Sequence, residues 1–298
     1  MTSGIINVDK PTGRTSFDIV RDVRRGTGER RVGHAGTLDP AASGVLLVLL
    51  GQATRVSDYL MDLRKTYRAT VRLGVGTDTY DAEGEVTGEA EVNVSEGELR
   101  TALAAFVGEI EQAPPPHSAV KVGGERAYKK ARRGEEVALA PRPATVYRID
   151  LLSFEPPEAV IEVECARGTY IRSIAHDVGE KLGCGAHLSA LERTRVGTFT
   201  VEAAVGEHEL AEALAAGTWT ELVQPMDCGL MALPVVTLHI EDEKDLRHGQ
   251  AVDVDGAPGE TDGQEARGYG EDGALVGILR WDAELRMWRP RKIFPPGA

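Results

Sequence analysis

The stretch Val32-Gly33-His34-Ala35-Gly36-Thr37-Leu38-Asp39-Pro40-Ala41-Ala42-Ser43-Gly44 sets three glycines, a histidine and an aspartate close together, and an apolar run, Val45 to Leu50, follows at once. Glycine lets backbone turn sharply or approach a ligand where a Cβ would obstruct it. Asp39 precedes Pro40, which biases it away from helical φ/ψ and favours a loop. The order Asp-Pro-Ala-Ala also reads as an N-cap, a proline at the first helical position and the start of a helix. Either reading holds Asp39 on a rigid turn with its carboxylate at a helix entrance, and capping alone would account for its presence. The run that follows, ended by Gly51, is rich in branched aliphatics and suits a strand buried on both faces.

Upstream, Gly4 to Pro11 reads as a short strand ending in a turn. Thr15 or Ser16 can cap a helix to about Arg25, with Ile19, Val20 and Val23 as its buried stripe. Downstream, Gln52 to Met61 reads as a helix, and Lys65 to Leu73 alternates polar with apolar residues as a half-buried strand does. Gly76 to Glu85 is polar and turn-rich, and its acidic spacing is not that of a calcium-binding loop. Ser95 and Glu98 form a capping box for a helix to Val107. Pro114 to Pro116 breaks regular structure, and Tyr128 to Arg133 reads as a short basic helix. Arg142 to Tyr147 and Ala159 to Cys165 alternate like strands. The turn at Gly168 feeds a helix with Ile171, Ile174 and Val178 on its apolar face and Arg172, a residue type usually exposed, near its start. His208 to Ala216 reads as a helix. Beyond Val235 come short strand-like pieces, Gly249 to Val254, Ala274 to Trp281 and Met287 to Ile293. The acidic, glycine-rich stretch Gly256 to Gly273 predicts a long mobile loop.

A chain of 298 residues, 42% hydrophobic, can fill one large domain or two. No apolar run approaches the ~20 residues that span a bilayer, and the first residues lack a secretory pattern. Cys165, Cys184 and Cys228 are too widely spaced for a disulfide framework or a CxxC metal site. These features predict a cytoplasmic protein with no metal site. The net charge of −13 counts against nucleic-acid binding as a first reading. Its distribution matters more. Basic clusters lie at Arg21 to Arg31, at Arg64, Lys65, Arg68 and Arg72, and at Lys121 to Arg133. A locally basic face on an acidic body can still collect phosphates.

Gly33-His34-Ala35-Gly36-Thr37-Leu38-Asp39-Pro40, then Ser43-Gly44-Val45-Leu46, closely resembles the active-site motif of the TruB-type tRNA pseudouridine synthases. Further segments resemble that family: Asp9-Lys10-Pro11 with Gly13, Thr15 and Ser16, Lys65-Thr66-Tyr67, Thr77-Asp78 with Asp81 and Gly84, Gly168-Thr169-Tyr170-Ile171-Arg172, and Gly183 to Leu188 with Leu191 to Gly197. The resemblance covers about residues 4 to 230 and departs at Glu192, where a basic residue is expected. It implies an α+β fold, with a mixed, largely antiparallel central sheet, flanking helices and a small C-terminal β-rich domain of the PUA-like kind. The corresponding division is a catalytic domain, 1–232, and an RNA-binding accessory domain, 233–298.

The implied reaction turns uridine into pseudouridine at position 55 in the T arm of tRNA. Asp39 is then the nucleophile, Arg172 its partner, and Tyr67 the tyrosine that stacks on the uracil. His34 takes the place vacated by the flipped base, Tyr170 and Leu191 shape the pocket, and Asp81 borders it. A basic insertion, about 114 to 142, grips the RNA hairpin, with Lys121 and Arg132 among its contacts. No cofactor, membrane or obligate protein partner is implied, and a monomer is expected. Two other readings are a guide-RNA-dependent, dyskerin-like synthase and a non-catalytic tRNA-binding or folding protein.

Overall fold

The computed structural model describes residues 2–116, 139–254 and 256–296, together with the backbone of 121–122 and 125–126. Arg132, the Lys121 side chain and the expected basic helix at Tyr128 to Arg133 lie outside the described residues.

The chain begins with β1 (Gly4–Lys10), α1 (Ser16–Thr27), β2 (Val32–His34) and β3 (Ser43–Leu50). A 3-10 turn, Gly51–Val56, leads into α2 (Ser57–Asp62), β4 (Lys65–Leu73), β5 (Val75–Thr77), β6 (Val86–Glu89), α3 (Glu96–Ala104) and β7 (Gly108–Gln112). Two short strands, β8 (Lys121–Val122) and β9 (Glu125–Arg126), precede the long β10 (Arg142–Glu155) and β11 (Glu158–Cys165). Then come α4 (Ile171–Leu182), β12 (Ala186–Val196), β13 (Phe199–Thr200) and α5 (Glu207–Ala216). The last part holds β14 (Val235–Leu238), α6 (Ile240–Arg247), β15 (Glu265–Gly270), β16 (Leu275–Asp282) and β17 (Met287–Ile293).

Among the described residues, nine strands form the central sheet, in the order β1-β3-β12-β4-β11-β10-β7 with β2 beside β3 and β13 beside β12. Its pairs are antiparallel except one. Glu192 and Arg193 of β12 run parallel to Ser43 and Gly44 at the start of β3. That contact seats the Asp39 loop against β12. The expected α+β class holds, and a second sheet, β14-β15-β16-β17, forms the C-terminal β domain.

β3 is buried on both faces because its alternate side chains feed two cores. Leu46, Val48 and Leu50 pack with Ile19, Val20 and Val23 of α1. Val45, Leu47 and Leu49 pack with Val56, Leu60, Phe199 and Leu230, and Ile278 and Phe294 of the C-terminal domain close that cluster. The apolar stripe of α4, Ile171, Ile174, Ala175 and Val178, lies on Val71, Ile161, Val163 and Leu188 of the sheet. This places the first turn of α4, and Arg172 with it, over the sheet's centre.

Helix ends follow local chemistry. Thr15 and Asp18 form a reciprocal capping box on α1, and Ser95 and Glu98 do the same on α3. α4 begins at Tyr170 without a side-chain cap. Gln112 grips it instead: the Tyr170 N–H donates to Oε1 at 2.8 Å, and Nε2 donates to the Tyr170 carbonyl at 2.9 Å.

Three expectations change. No helix follows Asp39; the Ala42 N–H donates to the Asp39 carbonyl at 3.1 Å in a single turn, and the strand begins at Ser43. Gly44 must pair with Lys10 on one side and Arg193 on the other, so the chain is extended where a helix would need it coiled. The stretch Gly256 to Gly273 is not one loop, because it contains β15. β15 lacks apolar alternation: it buries Ala266, Arg267, Gly268 and Gly270, and Gly268 fits where a Cβ would come within 3.0 Å of Leu238. Gly249 to Val254 contributes a single bridge, Val252 to Trp288, in place of a strand.

The β3–β12 contact makes a prediction. Gly44 has φ +99°, and a Cβ there would lie 2.3 Å from the Arg193 carbonyl oxygen. Gly44→Ala lowers stability by at least about 2 kcal/mol, read as a fall in the urea midpoint at constant m-value. An unchanged midpoint would contradict so close an approach of the two strands.

Candidate active site

A cavity of about 370 Å³ opens where four segments meet. They are the Asp39 loop, the start of β4, the turn from Ala166 into α4, and β12. Asp39, Tyr67, Tyr170, Arg172 and Leu191, expected as site residues from four separate segments, all line it. Asp81 stands behind Arg172 and not in the cavity wall. His34 lies at the end of β2, outside the lining. Its Nδ1 is buried without a hydrogen-bond partner. Burial, reinforced by Arg193, lowers its pKa.

Arg172 organises the centre. Its side chain is 8% exposed, and a buried guanidinium needs partners for its fixed fork of donors. Nη2 lies 2.9 Å from Oδ2 of Asp39. Nη1 lies 3.0 Å from Oδ2 of Asp81 and donates to the Thr79 carbonyl at 3.3 Å. One planar group therefore bridges two carboxylates. Asp81 is itself held: its Oδ1 accepts from the Thr79 hydroxyl at 2.6 Å and from the Glu83 N–H at 3.1 Å. Asp39 keeps 47% of its side chain exposed at the cavity mouth, so one face is fixed and the other remains free for a ligand.

Three more cations are buried around the pocket. Arg193 is 1% exposed and donates through Nε to the Val45 carbonyl at 2.7 Å and through Nη2 to the Gly36 carbonyl at 3.1 Å. It thus ties the Asp39 loop to β12 from below. Lys10 is fully buried, and its Nζ donates to the carbonyls of Pro11 and Arg14 at 2.7 Å each, with Pro40 at 3.5 Å. Lys65 donates to the carbonyls of Met61 and Leu63, the latter at 2.6 Å. Burial lowers both lysines to about 8, against an opposing pull from Asp39 on Lys10. Tyr67 faces Arg193 across the β4–β12 register. Burial raises its phenol, and Arg193 draws it partly back.

These cations correct the reading of Lys65 as part of a surface cluster. The signal was present in the strand period: Lys65 shares the phase of Tyr67, Ala69, Val71 and Leu73, the buried face of β4. Arg193 is likewise in phase with Leu191, and Lys10 with Ile6 and Val8. Glu192 points the other way and lies 3.5 Å from Arg68 on the exposed face of the sheet.

The chain matches two family models in tandem. Residues 24–171 match the N-terminal domain of the TruB family of pseudouridylate synthases, and residues 172–231 match the C-terminal domain of tRNA pseudouridylate synthase B. The chain belongs to the TruB family. It is similar to tRNA pseudouridine synthase B of an Arthrobacter strain, 43% identical over 290 residues and covering 94% of this chain and 93% of that protein. It is also 42% identical to the protein of that name from Dehalococcoides mccartyi, over 98% of this chain and 96% of the other. Among solved structures, a Cbf5–Nop10–Gar1 complex contains a chain 29% identical, with a TM-score of 0.77 over 98% of this chain and 85% of that one. As a TruB-family member the protein is an isomerase, and the seam between the two family models falls between Ile171 and Arg172, beside the cavity.

The buried lysines make stability depend on pH. An unfolded lysine holds its proton to about pH 10.4. Lys10 releases its proton near pH 8 in the folded protein. Above pH 8 the unfolded chain therefore binds more protons, and stability rises with pH. Between pH 8 and 9.5, wild type gains about 1 to 2 kcal/mol relative to Lys10→Met, read by urea unfolding at each pH. Parallel curves would contradict the lowered value.

Proposed function

We propose that the protein isomerises uridine to pseudouridine in the T arm of tRNA, at position 55, acting alone with Asp39 as nucleophile. The observation that carries this reading is Asp39, half exposed at the mouth of the cavity, with Oδ2 held 2.9 Å from a buried arginine. The tRNA substrate is supported by relatives named tRNA pseudouridine synthase B that match over more than 90% of both chains.

The reaction breaks the bond from uracil N1 to ribose C1′ and forms one from C5 to C1′. C5 loses a proton and N1 gains one, so no net oxidation occurs. A carboxylate suits the transient covalent step because it both attacks and leaves readily. Arg172 fixes which Asp39 oxygen is engaged and leaves the other facing the cavity. Tyr67, in the same cavity wall, offers a ring face for the uracil and a phenol to assist proton removal from C5. Tyr170 and Leu191 supply apolar walls that hold the base once it leaves the RNA stack. Lys121 and Arg132 remain assigned to gripping the RNA hairpin, and His34 to filling the gap in the loop.

The likeness to a chain from a Cbf5–Nop10–Gar1 complex favours a second reading, in which activity requires partner proteins and a guide RNA. The two separate cleanly. Purified protein alone converts an unmodified T-arm hairpin in the first reading and not in the second. In the first, Asp39→Asn loses at least about a thousandfold in rate while hairpin binding, measured by filter retention, stays within a few fold. An active Asp39→Asn would remove Asp39 from the chemistry.

A further inference from the structure

Tyr80 has φ +65°, a left-handed conformation that bulky side chains rarely adopt. Such a residue persists where its surroundings over-determine it, and then its position is a clue to function. Here backbone and ring both hold it. The Tyr80 N–H donates to the Thr77 carbonyl at 3.3 Å, and the Tyr80 carbonyl accepts from Leu188 of β12 at 3.0 Å. The phenol ring lies flat on the imidazole of His176, with centroids 3.8 Å apart and planes 9° apart.

Both rings are placed by the site. His176 lies on α4 four residues after Arg172, on the same helical face. Tyr80 stands between the two loop groups that reach the Arg172 guanidinium, the Thr79 carbonyl and the Asp81 carboxylate. The left-handed residue reverses the chain so that both neighbours converge on one nitrogen. Its own side chain meanwhile crosses to the next turn of the helix. The loop thus rests on α4 at two points one turn apart, and rotation about the ion pair is blocked by the stack.

We propose that Tyr80 and His176 form an aromatic clamp that sets the aim of Asp39. The stack fixes the Asp81 loop on α4, Asp81 fixes Nη1 of Arg172, and Nη2 is thereby presented to Asp39. Tyr80 and His176 are positioning residues, and their effect on rate rests on the role proposed above for Asp39. Small misplacements of a reacting group cost rate without cost in ground-state binding.

The test compares ring-free with ring-retaining variants. Glycine accepts φ +65° freely, so Tyr80→Gly keeps the loop's route and deletes the ring. At saturating T-arm hairpin, Tyr80→Gly and His176→Ala convert at least about tenfold more slowly, with KM within twofold of wild type. Tyr80→Phe and His176→Phe stay within about twofold of the wild-type rate. The double variant Tyr80→Gly/His176→Ala is no slower than the slower single one, because each breaks the same contact. Hydrogen exchange at the amides of 78–85 quickens in the ring-free variants and not in the ring-retaining ones.

A wild-type rate in Tyr80→Gly overturns the proposal. Equal losses in Tyr80→Phe and Tyr80→Gly, multiplied losses in the double variant, or a raised KM at unchanged kcat also overturn it. If Asp39→Asn proves active, the reading of Asp39 fails, and the exchange rates alone decide whether the clamp holds the loop.

Discussion

Burying a guanidinium is costly unless partners engage it, and Arg172 places Nη1 and Nη2 between two carboxylates and a main-chain carbonyl. The arrangement is asymmetric in a useful way. Asp81 is 13% exposed and locked by its own turn, whereas Asp39 is 47% exposed and faces the cavity. Arg172 therefore joins a structural carboxylate to the one proposed to react. Its position comes from α4, whose apolar stripe is pressed on the sheet and whose N-cap residue, Tyr170, is gripped by Gln112. Rigidity in the helix becomes precision at the carboxylate.

The loop that carries Asp39 is secured from below by cations bound to main-chain oxygens. Arg193 holds Gly36 and Val45, and Lys10 holds the turn at Pro11, Arg14 and Pro40. Carbonyl acceptors satisfy the donors of these side chains without cancelling their charge. Arg193 and Lys65 line the pocket and make its floor positive, which suits the proposed use of Asp39 beside an anionic RNA backbone. The parallel contact of β12 with the start of β3 is the geometric counterpart: it brings Arg193 under the loop and requires glycine at position 44.

Much of this was legible in the chain. The apolar run after Ser43, the alternation of Lys65 to Leu73 and the capping box at Ser95 each report a local preference that the tertiary structure keeps. Asp39, Tyr67, Tyr170, Arg172 and Leu191 were readable because contiguous motifs carry them, and the sheet order brings them to one cavity. What stayed hidden has three separate causes. The absent helix at Pro40 and the strand at Glu265 are decided by pairing partners far along the chain, Arg193 for one and β14 and β16 for the other. The buried cations were hidden because a charged side chain is ordinarily exposed, and only strand phase marks Lys65, Arg193 and Lys10 as inward. The Tyr80–His176 stack needs a left-handed tyrosine, which no local propensity favours.

In the proposed reaction a planar fork spanning Asp81 and Asp39, and not positive charge alone, aims Asp39. Arg172→Lys tests it most directly, since lysine keeps the charge and loses the fixed fork. The measurement is the single-turnover rate of pseudouridine formation on a T-arm hairpin, with hairpin affinity recorded beside it. The rate is expected to fall by at least about a hundredfold at unchanged affinity. A rate within a few fold of wild type would show that charge suffices and that the bridge does not aim Asp39.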